Sequence, residues 1–223
     1  MKNLPHKIAV IFDMDGVIVD TNPYHVIALK NFCEKYGFSL SEDEMRNEIF
    51  GRTNRVWLKK LFGEETPDIE LKKYEEEKEA SFRSIYAPHI KLVPGLTGFL
   101  DQLERNKIQK AIATSAPKKN VNFVIAKTGI SKYFEIVVDS EYVTNSKPHP
   151  EIYLKTAAAL NLPARNCVVI EDSLSGVEAG KRAGCKVIGI TTTHSKNELK
   201  ETDLTIKNFD SMSMTKLSLL FEE

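Results

Sequence analysis

Five short runs of apolar and β-branched residues punctuate the 223-residue chain, at 7–12, 109–114, 135–138, 167–171 and 186–190. Each is about the length of a strand. Apolar residues follow one another in these runs instead of alternating with polar ones, as in strands covered on both faces. Between the runs, from Pro94 onward, lie stretches of helical period. One is Leu96, Phe99, Leu100 and Leu103; others cover 120–127, about 150–160, and 173–183, closed by Gly184. Strand alternating with helix predicts right-handed βαβ units. The expected fold class is α/β, a doubly wound parallel sheet.

The rhythm breaks after the first strand. From Thr21 to about Leu92 only helix signals appear. Leu29, Phe32, Cys33 and Tyr36 keep helical spacing, and Gly37 is placed to stop that helix in a left-handed conformation. Ser41-Glu42-Asp43-Glu44 forms a capping box. Thr66-Pro67 reads as an N-cap followed by proline at the first helical position, opening a long charged helix to about Tyr86. The acid-rich run 75–79 reads as the solvated face of that helix. An all-helical insert at 21–92 is thus expected inside an α/β core made of 1–20 and 93–223.

Composition narrows the class. Apolar residues make up 42% and charged residues 28%, ordinary for a soluble globular protein. Acids and bases balance at 31 each, so no global field draws the chain to nucleic acid or to an acidic membrane. The N-terminal run Met1-Lys2-Asn3-Leu4-Pro5-His6-Lys7 leads into an apolar stretch broken by Asp13 and Asp15, which no secretory leader would carry. Nowhere do about 18 apolar residues run together. Cys33, Cys167 and Cys185 are odd in number and widely spaced, which suits buried free thiols and neither a disulfide framework nor a zinc site. A soluble, cytoplasmic protein is expected.

Ligands of open α/β sheets bind outside the carboxyl ends of the strands. Here the strands end in polar groups: Asp13-Met14-Asp15-Gly16, then Thr114-Ser115, then Glu171-Asp172-Ser173, with Ser146-Lys147-Pro148 in the connection before the last of these. Asp13 and Asp15 are two apart, so on extended backbone they share a side. Two close carboxylates repel unless a cation lies beside them or one is protonated. Glu171 and Asp172 add two more acids, and four together make an oxygen-rich site for a hard cation such as Mg²⁺. Thr114 offers a hydroxyl and Ser115 a backbone N–H. Lys147 would supply a fixed positive charge.

Asp13-Met14-Asp15-Gly16-Val17, Thr114, Lys147 and Glu171-Asp172 together resemble, in order and separation, the four motifs of the haloacid dehalogenase (HAD) superfamily. The likeness spans essentially the whole chain. The helical insert, with Asp20-Thr21-x-x-Tyr24-His25 and Gly51-Arg52-Thr53, resembles the cap of the subgroup that contains β-phosphoglucomutase and small-metabolite phosphatases. The resemblance implies that Asp13 attacks phosphorus and Asp15 acts as general acid and base. It implies that Thr114, the Ser115 N–H and Lys147 hold the transferring group. Mg²⁺ would be bound by Asp13, the Asp15 main-chain carbonyl and Asp172, with Glu171 in or next to its shell. His25 and Arg52 are the substrate-binding candidates on the cap.

Phe50 departs from the mutase-like pattern, which has lysine before this glycine, and Arg55 is displaced from the position of the pattern's arginine. That favours a phosphatase of a small phosphorylated metabolite, working as a monomer, over a sugar-phosphate mutase using the same core residues. A response-regulator receiver domain would be about half as long, and its phosphorylated aspartate would lie on the third strand, where Asp139 is the one candidate. A dehalogenase would need neither Asp15 nor magnesium.

Overall fold

Val10, Ile11 and Phe12 bury completely at the centre of a sheet covered on both faces. A computed structural model of the chain describes residues 7–222. The N-terminal run considered above therefore lies, except for Lys7, outside the described residues, as does Glu223. Among the described residues the sheet has six strands: β1 (Ala9–Phe12), β2 (Gln109–Ala113), β3 (Ile136–Val138), β4 (Cys167–Glu171), β5 (Lys186–Ile190) and β6 (Leu204–Ile206). Their order is β3-β2-β1-β4-β5-β6 and every neighbouring pair is parallel. The period-two rule sorts the central strand between two cores. Val10 and Phe12 face one apolar cluster, Ala9 and Ile11 the other.

Register decides where the polar strand ends meet. Phe12 lies level with Ile112 on one side and Ile170 on the other. β1, β2 and β4 thus stop together, and the residues that follow each of them converge on one sheet edge. Chain direction reverses its progress across the sheet at β1, which is where doubly wound sheets leave a crevice.

Helices α1 (Asn22–Tyr36), α2 (Glu42–Glu44), α3 (Asn54–Phe62) and α4 (Asp68–Tyr86), with a π-helical turn at Met45–Ile49, fill the interval between β1 and β2. They gather their own apolar cluster of Leu29, Phe32, Cys33, Met45, Trp57, Leu58 and Leu71. Gly37 closes α1 at φ 75°, and the Ser41/Glu44 capping box is formed in both directions. α4 starts one residue later than its sequence suggests: Pro67 is the N-cap, and the Thr66 hydroxyl turns back to the Gly63 carbonyl at 2.8 Å. Phe82 and Tyr86 at the end of α4 join the main core, tying the helical segment to the sheet. The remaining helices are α5 (Leu96–Arg105), α6 (Lys118–Thr128), α7 (Glu151–Ala159), α8 (Leu174–Arg182) and α9 (Met214–Leu219). The cysteines are buried free thiols. No helix among the described residues is long and apolar enough to cross a membrane.

One expectation is overturned. The run 75–79 is not a solvated face throughout, because Lys78 and Glu79 are buried. Helical periodicity carries them to the side of α4 that faces the sheet edge, where each finds polar partners.

Phe12 packs against Phe99, Phe134 and Phe209 at centroid distances of 6.3, 5.6 and 6.1 Å. Truncating this central ring removes both its transfer energy and its contacts. Phe12→Ala is expected to cost about 3–5 kcal/mol in urea unfolding followed by circular dichroism, and an unchanged midpoint would contradict the central role of this cluster.

Candidate active site

The backbone carries Asp13 out of β1 while its N–H still donates to the Ile170 carbonyl of β4 at 3.0 Å. Its carboxylate is therefore fixed by the sheet at the edge where the strands end. Lys147, from the connection between β3 and α7, reaches the same place. Its buried ammonium donates to Asp13 Oδ1 and to Glu171 Oε1, both at 2.6 Å. Glu171, the last residue of β4, is fully buried and surrounded by donors: Lys147, the Tyr153 hydroxyl at 2.6 Å, the backbone N–H groups of Asp172 and Ser173, and the Ser173 hydroxyl. A Cβ on Gly176 of α8 would lie 1.8 Å from Glu171 Oε1, so only glycine lets that helix close over the carboxylate.

Asp172 completes the group. Its Oδ2 accepts from Asn22 at 2.8 Å and from the Thr193 hydroxyl. Asp13, Glu171 and Asp172 each offer an oxygen, all within 4.8 Å of one another. Lys147 is the one ammonium among the described residues that touches them. Three buried carboxylates against one cation leave negative charge uncompensated, which is the chemistry that a hard divalent cation fits.

The electrostatics follow from that imbalance. Burial pushes Asp13 up to about 8; Lys147 opposes the rise, and Glu171 and Asp15 add to it. Burial and the charges of Glu171 and Asp13 hold Asp172 well above the usual carboxylate range. Burial works against ionising Glu171 as well, but there Lys147 and the hydrogen bonds from Tyr153 and Ser173 prevail and keep it low. Lys147 is raised, because Asp13 and Glu171 outweigh its own desolvation.

Asp15 stands apart from this trio. Its Oδ1 accepts from the Thr21 hydroxyl at 2.7 Å and lies 3.6 Å from His25 Nε2. The turn between Asp13 and α1 is built on Gly16, at φ 74°. A Cβ there would fall 1.9 Å from Asp172 Oδ2, so the backbone passes against the acidic cluster with no room for a side chain. Thr114, at the end of β2, accepts from the Ala116 N–H through its hydroxyl at 3.1 Å. The Ser115 hydroxyl is turned away to the Gly51 carbonyl at 2.8 Å.

Asp13, Asp15, Thr114, Ser115 and Asp172 line one cavity, and the helical segment supplies its other wall with His25, Phe50, Arg52, Lys78 and Glu79. The cavity thus gathers both candidates from the helical segment, His25 and Arg52, while Lys147 and Glu171 are not among its lining residues. His25 stacks on Phe82 with ring centroids 3.7 Å apart, and its Nδ1 faces Lys78 Nζ at 2.9 Å. Several lining or supporting residues carried no isolated signal in the sequence: Asn22, Asn54, Lys78, Glu79, Asn120, Tyr153 and Thr193. For Lys78 and Glu79 the available signal was their phase on α4, which matches that of the buried residues Leu71, Phe82 and Tyr86.

The family model described as haloacid dehalogenase-like hydrolase matches residues 10–190. A phosphorylated carbohydrates phosphatase of Thermotoga maritima is 35% identical over 193 residues, 86% of this chain and 88% of that protein. A β-phosphoglucomutase of Bacillus subtilis is 31% identical over 189 residues, 82% of each chain. Among solved structures, a HAD hydrolase of family IA, variant 3, from Entamoeba histolytica has a TM-score of 0.87 at 32% identity, covering 97% of this chain and 100% of that one.

Because Asp13 is raised to about 8 and Asp172 is raised as well, the cluster holds protons that a divalent cation must displace. Cation affinity should therefore rise with pH as these protons leave, with proton release on binding. The thermal upshift produced by a divalent cation is expected to be larger at about pH 8 than at about pH 6, and calorimetry in two buffers should register the released protons. A pH-independent shift would contradict this account.

Proposed function

Because the chain belongs to the haloacid dehalogenase-like hydrolases and is a phosphoryl-transfer enzyme, we propose that it is a Mg²⁺-dependent phosphatase of a small phosphorylated metabolite, such as a sugar phosphate. The observation that carries this reading is the Asp13 carboxylate, fixed at the end of the central strand, 2.6 Å from the Lys147 ammonium and open to a cavity walled by the helical segment.

In the first half-reaction an Asp13 oxygen bonds to phosphorus as the bond to the leaving oxygen breaks, and Asp15 gives its proton to that oxygen. In the second, Asp15 takes a proton from water, the water oxygen bonds to phosphorus and the bond to Asp13 breaks, releasing phosphate. Covalent capture divides one hard displacement into two. The Thr114 hydroxyl, the Ser115 N–H and Lys147 hold the phosphoryl oxygens, because a loose transition state asks chiefly for alignment and charge neutralisation. Mg²⁺, when bound by Asp13, the Asp15 main-chain carbonyl and Asp172 beside Glu171, would neutralise charge on the transferring group.

Residues 21–92 serve as a cap domain on a core of 1–20 and 93–223, and His25 and Arg52 bind substrate from it. In support, the Thr53 N–H donates to the Ser146 hydroxyl at 3.0 Å, the Ser175 hydroxyl to the Phe50 carbonyl at 3.3 Å, and Arg83 to Asn120 at 2.7 Å. Such closure excludes water from all but the reacting position. A monomer in the reducing cytoplasm suits the buried free thiols.

The similarity to a β-phosphoglucomutase favours a second reading, a sugar-phosphate mutase, in which a substrate hydroxyl replaces water. Phe50 on the cavity wall argues against it, since it offers no charge to a distal phosphate.

Asp13→Asn is expected to lower phosphate release by at least about a thousandfold while remaining folded by circular dichroism, and chelation of Mg²⁺ to do the same. Substantial release by that variant would remove Asp13 as nucleophile. Asp15→Asn should be most impaired on alkyl phosphates, whose leaving groups need a proton. Incubation with β-glucose 1-phosphate and a trace of the bisphosphate separates the two readings: free phosphate supports the phosphatase, glucose 6-phosphate the mutase.

A further inference from the structure

The segment that follows β5 reaches the acidic cluster with groups that the proposed chemistry does not use. Thr191 is pinned to β6, its N–H donating to the Ile206 carbonyl at 3.0 Å. Ser195 and Glu198 then bond reciprocally across one turn: the Ser195 N–H donates to Glu198 Oε2 at 2.8 Å, and the Glu198 N–H to Ser195 Oγ at 3.4 Å. Arg46 of the helical segment braces the same stretch, donating to the Thr193 carbonyl at 3.2 Å and pairing with Glu198. The backbone that carries Thr192 and Thr193 is therefore fastened on both sides of them.

Two consecutive hydroxyls leave this fastened backbone for the site. Thr192 donates to the Gly16 carbonyl at 2.6 Å, one residue beyond the Asp15 carbonyl proposed as a cation ligand. Thr193 donates to Asp172 Oδ2, and Asn22, the first residue of α1, donates to the same oxygen at 2.8 Å. A hydroxyl has one O–H, and that of Thr193 goes to Asp172. Its oxygen accepts from Asn22, so the two N–H bonds of that amide have one partner each. Asp172 Oδ1 accepts no hydrogen bond among the described residues. Lys147 donates to Asp13 and Glu171 and not to Asp172, so the third acid takes its orientation from Thr193 and Asn22.

We propose that Thr193 is a positioning residue for the divalent cation: together with Asn22 it fixes Asp172 through Oδ2 and leaves Oδ1 to the ion. The inference rests on the proposed cation site and is indifferent to whether water or a sugar hydroxyl accepts the phosphoryl group. Hydrogen bonds to a ligating carboxylate raise cation affinity because less ordering remains to be done when the ion binds.

Cation binding without turnover tests it, with Mn²⁺ as the probe and the free ion counted by electron paramagnetic resonance. The wild-type chain should bind one Mn²⁺ that Asp172→Asn loses. Thr193→Val, which keeps the shape and removes the hydroxyl, should weaken that binding by at least about tenfold. Thr193→Ser, which restores the hydroxyl, should recover it to within about threefold of wild type. Equal affinity of wild type and Thr193→Val would overturn the inference, and so would a serine variant as weak as the valine one. Thr193→Ala decides in the same way if Thr193→Val does not fold. A wild-type chain that binds no Mn²⁺, or binds it unchanged in Asp172→Asn, would sink the cation site and this inference with it. A chain that binds as expected but releases no phosphate from any ester would sink the phosphatase reading and leave this one standing.

Discussion

The site depends on one buried ammonium. Lys147 bridges Asp13 and Glu171, two carboxylates from adjacent strands; it keeps Glu171 low against burial and limits, without cancelling, the rise that burial imposes on Asp13. Breaking such a bridge is costly because it leaves uncompensated buried charge. Its geometry also divides the labour between the two acids. Glu171, saturated by donors on every side, stays ionised and anchors the lysine, whereas Asp13 has fewer donors and one face on the cavity. In the proposed mechanism this leaves Asp13 a fixed carboxyl group facing the cavity, with a proton to lose before it attacks.

Much of this was legible in the chain. Continuous apolar runs can only be strands hidden on both faces, and 167–171 and 186–190 match β4 and β5 residue for residue. The three polar strand ends could be read because each interrupts a run that has no other reason to end in polar groups. β6 escaped because Leu204, Thr205 and Ile206 are too few and too mixed to form a pattern; only pairing with β5 makes them a strand.

The helical wall of the cavity was harder to read for a physical reason. Lys78 and Glu79 sit among Glu75, Glu76 and Glu77, and composition alone makes the whole stretch look solvated. Their burial is decided by helical phase together with a partner far away in sequence, Asn120 on α6, which accepts from Arg83 and donates to Glu79. Likewise nothing near Glu171 in the sequence announces Tyr153, whose hydroxyl completes its shell. Motifs reveal groups that meet the substrate; the residues that hold those groups still are scattered through helices whose local pattern says only which side is inward.

The position of β1 has a consequence for how the chain comes into being. Ala9 pairs with Gln109 on one side and Cys167 on the other, so the most apolar strand in the sheet has no partner until nearly half the chain exists, and lacks its second until three quarters does. During synthesis the helical segment, with its local apolar cluster, is the first part able to collapse on itself. An exposed Ala9–Phe12 segment meanwhile invites pairing with other chains, which makes the interval between emergence of β1 and arrival of β2 the time at which this protein is most open to aggregation.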